Sequence, residues 1–239
     1  MTETAAAPMF WQGFVPTEAA DPDARAWHDR FPALMPDGSS LVLPLRDLGA
    51  TAVAGLIANQ ASFAVHDRLV GWMAEAAAPC AAEAVVGLPT LGHSLAAGVA
   101  RALGHANWVA VGTTRKLWYE ERLSAPVSSI TSPGGGRRLW LDPRVLDRLA
   151  GRRVLLVDDV MSTGRSARAG LSLLHDAGVR PVALCVAMLQ GDWWCEAWNP
   201  AIPVVAAFAT PVFDRRPDGF RVRRGSRIDG CCLPAARAG

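Results

Sequence analysis

The segment Val154-Leu155-Leu156-Val157-Asp158-Asp159-Val160-Met161-Ser162-Thr163-Gly164-Arg165-Ser166 constrains the fold more than any other part of the chain. An apolar run ends in two adjacent carboxylates, and a short loop of small and hydroxyl residues follows. Ala167 to Ala177 then reads as a helix with Leu171 and Leu174 on one face. Strand, ligand loop and helix N-terminus stand in series. In open α/β sheets ligands bind at such junctions, outside the carboxyl ends of the strands. Loop N–H groups and the helix dipole favour an anion there, typically phosphate. Ser162, Thr163 and Ser166 add hydroxyl donors, whereas Asp158 and Asp159 cannot hold phosphate but accept from sugar hydroxyls. A phosphate site beside a diol site is the chemistry of a ribose 5-phosphate.

These residues resemble the phosphoribosyl pyrophosphate (PRPP) signature of type I phosphoribosyltransferases. The resemblance implies that Asp158 and Asp159 hold the ribose 2′- and 3′-hydroxyls as catalytic residues. It implies that Met161, Ser162, Thr163, Gly164, Arg165 and Ser166 cradle the 5′-phosphate. Arg165 departs from the pattern, which more usually has Gly, Ala or Thr at that place. Other readings fit less of the segment. A Walker B strand would want a Gly-x-x-x-x-Gly-Lys-Ser/Thr loop, and the chain has none. A receiver domain would carry its acids near the chain start. A purely structural strand end would not need a phosphate-suited loop behind two acids.

A chain of 239 residues can bury a full core as one domain with a small appendage. Hydrophobic content of 51% with 19% charged residues indicates a globular protein, and a net charge of +2 gives no case for bulk attraction to nucleic acid or membrane. The basic stretch Arg215 to Arg227 reads as a solvated edge. Met1-Thr2-Glu3-Thr4 lacks the basic and apolar regions of a signal peptide, so none is expected. No apolar run reaches the ~20 residues needed to span a bilayer. Cys80, Cys185, Cys195, Cys231 and Cys232 fit neither a zinc site nor a disulfide framework, which points to free thiols in a reducing cytoplasm.

Along the chain, the first 40 residues read as irregular, with Phe10, Trp11, Phe14 and Trp27 suggesting that parts of this arm dock. Leu41 to Leu45 is a strand candidate, and Thr51 to Ala78 reads as helical, ended by Pro79. From Ala84 strands and helices alternate. Strands are expected at 84–88, 108–111, 154–157, 181–188 and 204–208, with helices from Ser94 to Leu103 and after the motif strand. This pattern argues for a parallel sheet with right-handed crossovers.

Val85-Val86-Gly87-Leu88-Pro89-Thr90-Leu91-Gly92-His93-Ser94 repeats the strand–loop–helix logic. The resemblance makes Pro89, Thr90, Leu91 and Gly92 the pyrophosphate loop, where Gly92 would let the backbone approach the anion closely. Gly112 to Pro143 exceeds the usual connection length, and such loops tend to be functional or disordered. Its start places Arg115 and Lys116 at a strand end, where they could neutralise pyrophosphate or form a solvated basic turn. The likeness to adenine phosphoribosyltransferases runs over roughly residues 36 to 190 and favours the former, with Lys116 catalytic. Arg137 and Arg138 would belong to a lid closing over the site, and Leu45-Arg46-Asp47-Leu48 resembles a base-pocket segment, giving Leu45 and Arg46 that role. Three places differ from that group. No acid stands near Pro133 where its loop glutamate would fall, Leu91 replaces a pyrophosphate-loop arginine, and Leu45 replaces a base-pocket aromatic.

The histidines show no metal spacing; of them, His93 in the pyrophosphate loop is the best placed to touch ligand. Trp193-Trp194 could stack on a purine or make a hydrophobic or dimer contact. The expected architecture is an α/β, type I phosphoribosyltransferase (Rossmann-like) fold: a mostly parallel central sheet flanked by helices, with an N-terminal hood. Its parts would be an arm and hood at 1–78, a core at 79–210 and a C-terminal tail at 211–239. The expected function is transfer of the phosphoribosyl group of PRPP to a nucleobase, a purine first, with release of pyrophosphate. Mg²⁺ would be held through PRPP and water, with no direct protein ligand. A homodimer is the common assembly. The alternative is a non-catalytic PRPP or nucleotide sensor of the same fold.

Overall fold

The computed structural model describes residues 13–16, 25–127, 137–199 and 201–227. Expectations for Phe10, Trp11, Pro133, Cys231 and Cys232 lie outside them. In chain order, β1 (Gly13–Val15) is followed by β2 (Arg30–Leu34), β3 (Ser40–Asp47) and β4 (Thr51–Ala54). Helix α1 (Phe63–Ala77) leads to β5 (Ala84–Gly87), α2 (Gly92–Ala102) and β6 (Val109–Ala110). A short ladder of β7 (Ser124–Pro126) and β8 (Arg138–Trp140) precedes β9 (Val154–Met161), α3 (Arg165–Asp176), β10 (Pro181–Gln190) and β11 (Val204–Thr210). The hairpin of β12 (Val212–Arg216) and β13 (Gly219–Val222) comes last.

The central sheet has five strands in the order β11-β10-β9-β5-β6, and every neighbouring pair is parallel. Both of its faces are covered. Leu155 and Val157 of β9 join α1, α2 and the antiparallel strands in one apolar cluster. Val154 and Leu156 face the other way, into a cluster with α3 and the β7–β8 ladder. Burial on both sides explains why these strands read as near-continuous apolar runs and not as alternating ones.

Helix α1 begins where Ser62 caps it, its hydroxyl accepting from the Val65 N–H at 3.3 Å. Val65, Leu69, Val70, Met73 and Ala77 form its buried stripe, and Pro79 follows its end. The helix expected from Thr51 is therefore shorter at its start. Thr51 to Ala54 is a strand because β3 and β12 flank it on either side, and local pattern does not reveal such partners. Phe14 and Trp27 dock as expected. The Phe14 ring meets Trp72 of α1 edge-on at 5.9 Å, and Trp27 packs on Phe31 at 5.1 Å.

The hood is a six-stranded antiparallel sheet in which β3 is joined by β1, β2 and β4, and β4 by the β12–β13 hairpin. This corrects the expected C-terminal tail. Residues 212–222 pair with strands from the N-terminal part, so hood and described tail are one sheet. Helix α1, expected with the hood, instead packs on β10, β11 and α2.

Gln190 ties hood to core. At the carboxyl end of β10 its buried Nε2 donates to the Ala54 carbonyl of β4 at 2.7 Å. Substituting Gln190→Ala leaves that carbonyl buried without its donor. We expect a loss of about 1–3 kcal/mol of unfolding free energy, measured by urea denaturation; an unchanged midpoint would show that the tie carries no load.

Candidate functional site

The connections out of β5 and β9 diverge. The chain leaves β5 through α2 toward β6, and leaves β9 through α3 toward β10, while β5 and β9 are themselves neighbours. That is a topological switch point, where a crevice opens at the carboxyl edge of the sheet. Gly87 pairs with Val157, and the Leu88 N–H donates to the Val157 carbonyl at 2.9 Å. The two loops that follow are thereby side by side. A Cβ on Gly92 would lie 2.9 Å from the Asp158 Cα and 3.1 Å from the Val157 carbonyl. The close approach of the strand end by itself requires glycine there. The Pro89–Thr90 peptide is cis.

The second loop forms a cleft of about 110 Å³ lined by Asp158, Val160, residues 161–167 and Val186. A single water needs roughly 10–15 Å³ on the same measure, so a phosphate group fits. Gly164 turns the chain into α3 with φ +72°, a conformation that suits glycine. Helix α3 has no acid in its first turn and no side-chain cap. Its opening N–H groups and positive dipole end are left for an external anion. Arg165 adds a cation that the dipole disfavours, and it has no ion-pair partner among the described residues. Met161, Ser162, Thr163, Gly164, Arg165 and Ser166 are thus brought together as expected.

The acid pair is placed differently from a simple strand end. Asp158 is 5% exposed and lines the cleft, whereas Asp159 does not. The face alternation of β9 slips at this pair: Val160 packs with the α1–α2 side and Met161 with the α3 side. The Asp159 N–H donates to Asp158 Oδ1 at 2.9 Å. Burial first, and the charge of Asp159 second, push the Asp158 carboxyl well above its ordinary 3.8. Burial also raises Asp159. Hydroxyl donors or a cation at the pair would act in the opposite direction, favouring the charged forms.

The cations divide. Glu121 binds Arg115 at 3.4 Å and Arg138 at 3.1 Å, and Arg138 also donates to Ser124 Oγ at 2.5 Å. Arg138 therefore braces the β7–β8 ladder and does not stand ready to reach the site. The loop expected as a lid has an ordered base, with Leu123, Ala125, Leu139, Trp140 and Leu141 buried; its residues 128–136 lie outside the described part. Arg137 and Lys116 are exposed, and neither has an ion-pair partner among the described residues. An exposed pair such as Arg115–Glu121 is worth about 0–1 kcal/mol, so an arriving anion can compete for Arg115.

His93 is occupied: its Nε2 donates to the Val111 carbonyl at 2.9 Å, bracing the pyrophosphate-loop helix against the neighbouring strand. Leu45 is half-buried beside the hood core and Arg46 is exposed. Leu45 pairs with Ala54, which Gln190 holds at the sheet edge. Trp194 is a buried wall whose Nε1 donates to the Gly191 carbonyl at 3.2 Å, so only Trp193, 37% exposed, is open to a ligand. Sequence reasoning missed Gln190, although an amide closing an apolar strand was a signal. It also missed Arg168, whose guanidinium reaches the carbonyls of Thr163 and Ala197 at 3.5 Å and links the cleft loop to the β10–β11 connection.

Comparison with known proteins agrees with this geometry. The sequence model of the phosphoribosyl transferase domain family matches residues 54–196. Adenine phosphoribosyltransferase of Kineococcus radiotolerans is 36% identical over 136 residues, covering 56% of this chain and 67% of the relative. The protein of the same name from Streptomyces coelicolor is 34% identical over 139 residues, covering 58% and 71%. The crystal structure of adenine phosphoribosyltransferase from Thermoanaerobacter pseudethanolicus shares the fold, with a TM-score of 0.51 at 20% identity over 62% of this chain and 83% of that one.

The buried acid carries a stability cost of definite sign. The folded protein keeps the Asp158 proton to higher pH than the unfolded chain, so stability falls as pH rises from about 3.8 through the raised folded value. Asn cannot ionise, and its Oδ1 can still accept from the Asp159 N–H. Asp158→Asn should raise the melting temperature at neutral pH, and the gain should shrink toward zero as pH falls to about 4. Calorimetric melts across that range test it; a variant less stable than wild type at neutral pH would refute the costly-acid assignment.

Proposed function

The chain belongs to the phosphoribosyl transferase domain family, and from that premise we propose that it transfers the 5-phosphoribosyl group of PRPP to a ring nitrogen of a purine base, releasing pyrophosphate. One observation carries the reading: Asp158 lines a phosphate-sized cleft between the acid-ended strand β9 and the uncapped start of α3. The 5′-phosphate sits on the hydroxyls and N–H groups of Ser162 to Ser166. Asp158 and Asp159 accept from the ribose hydroxyls and fix the ring. The loop of Leu88 to Gly92 and the Lys116 ammonium receive pyrophosphate.

Held at both ends, the anomeric carbon is exposed to the base. As its bond to pyrophosphate oxygen breaks, the electron pair leaves with pyrophosphate and the ring gains oxocarbenium character. The base nitrogen lone pair forms the new bond, and the proton of that ring nitrogen passes to water. Fixed charges and dipoles serve this step because they need no reorganisation. Mg²⁺ would be held by PRPP oxygens and water, as this hard, reluctantly dehydrated cation usually is. When bound it neutralises pyrophosphate. Adenine is the first base to try, because both relatives described above carry its name.

Pyrophosphate release with PRPP, Mg²⁺ and adenine, guanine or hypoxanthine tests the proposal. Base-dependent release is expected with one of the purines, and no release with any of them would overturn it. Lys116→Ala should raise KM for PRPP roughly tenfold to a hundredfold, the loss of about one charge-assisted hydrogen bond. An unchanged KM would remove Lys116 from the pyrophosphate site.

A further inference from the structure

Lys116 is carried on a short loop that is tied at both ends to the chain leaving β8. The loop starts at the carboxyl edge of the central sheet, where the Val111 N–H donates to the Gly87 carbonyl at 3.1 Å and the Val111 carbonyl accepts from His93. Its start is thereby placed next to the loop of Leu88 to Gly92. The first tie is backbone: Gly112 and Trp140, the last residue of β8, exchange hydrogen bonds of 2.8 and 2.9 Å. The second tie is a side chain. The Trp118 indole N–H donates to Asp142 Oδ2 at 3.1 Å. Between the ties, residues 113–117 are all exposed. The Tyr119 N–H closes the turn on the Lys116 carbonyl at 3.0 Å.

The side-chain tie is itself braced. Arg144 donates from Nε to Asp142 Oδ1 at 3.0 Å and from Nη2 to Oδ2 at 2.8 Å. Its guanidinium also lies 4.2 Å from the centre of the Trp118 ring. These bonds from Arg144 hold the Asp142 carboxyl well below its ordinary 3.8. The indole therefore meets a charged acceptor, and the bond is charge-assisted. Trp118 does not line the cleft of Asp158 and residues 161–167. Its ring is 49% exposed and adds little to a core, so its one directed bond serves the geometry of the loop. On an untied loop, backbone and side chain would both have to be ordered when an anion arrives; here only the lysine side chain is left to order. On the premise of the proposed reaction, we infer that Trp118 is a positioning residue: held by Asp142, it sets the loop that presents Lys116 to pyrophosphate.

Calorimetric titration of the full chain with pyrophosphate and Mg²⁺ tests this without turnover. Trp118→Phe keeps an aromatic ring for Arg144 and removes the N–H donor. It should weaken pyrophosphate binding roughly threefold to tenfold, the effect of one hydrogen bond. Trp118→Phe combined with Lys116→Ala should bind no more weakly than Lys116→Ala alone, because a residue that acts through another is not additive with it. A tryptophan that merely supports the fold would weaken binding equally in both backgrounds. That equal loss, or wild-type affinity in Trp118→Phe, would overturn the inference and leave Lys116 at the pyrophosphate site. Wild-type affinity in Lys116→Ala would overturn the inference together with the Lys116 assignment.

Discussion

The close approach of the β5 and β9 ends is the constraint on which the site depends. Gly87 lies beside Val157, and the backbone of Gly92 rests against that of Asp158 with no room for a Cβ. Two loops and an acid pair are thereby fixed within one crevice. Both strands are covered on both faces, so neither end can retreat without opening a packed core. The divergence of α2 and α3 from this point then gives each loop its own helix start.

Electrostatics at the crevice runs against the stability of the fold. A carboxyl is buried beside another carboxyl, and α3 begins with arginine and without an acid or side-chain cap. Each choice breaks a local rule of stability. Such violations mark functional sites, where a ligand supplies the missing partner. The two halves are complementary: the acids accept, the helix start donates, and a phosphorylated sugar carries partners for both.

How much of this was legible follows from where the information sits. The motif strand, its acids and the hydroxyl loop are contiguous, so their order in sequence is their order in space. The parallel sheet was legible for the same reason, because each apolar run is followed by its own helix. Thr51 to Ala54 was read as helix because its status as a strand depends on β3 and on β12 far along the chain. Arg138 was read as a lid cation because nothing local announces that Glu121 and Ser124 will hold it. The slip at Asp158-Asp159 leaves no trace in a one-dimensional pattern, and the amide of Gln190 marks a polar strand end without naming its partner in β4. In each case the missing term was a tertiary partner, not a propensity.

The same reasoning explains why the motif announces the sugar phosphate more clearly than the base. The groups expected to meet ribose and phosphate lie on one strand–loop–helix unit. The base-pocket candidates Leu45 and Arg46 lie on β3, whose position is set from several directions. Its neighbour β4 is held by Gln190 from the core and by β12 from the far end of the chain. The turn between β3 and β4 is clasped by Arg215, which donates to the Gly49 carbonyl at 2.6 Å and pairs with Asp47. A pocket assembled from such separate segments can change its lining while the central sheet stays as it is. Recognition of the base is thereby decoupled from recognition of the sugar phosphate, and one fold can carry one reaction across different bases.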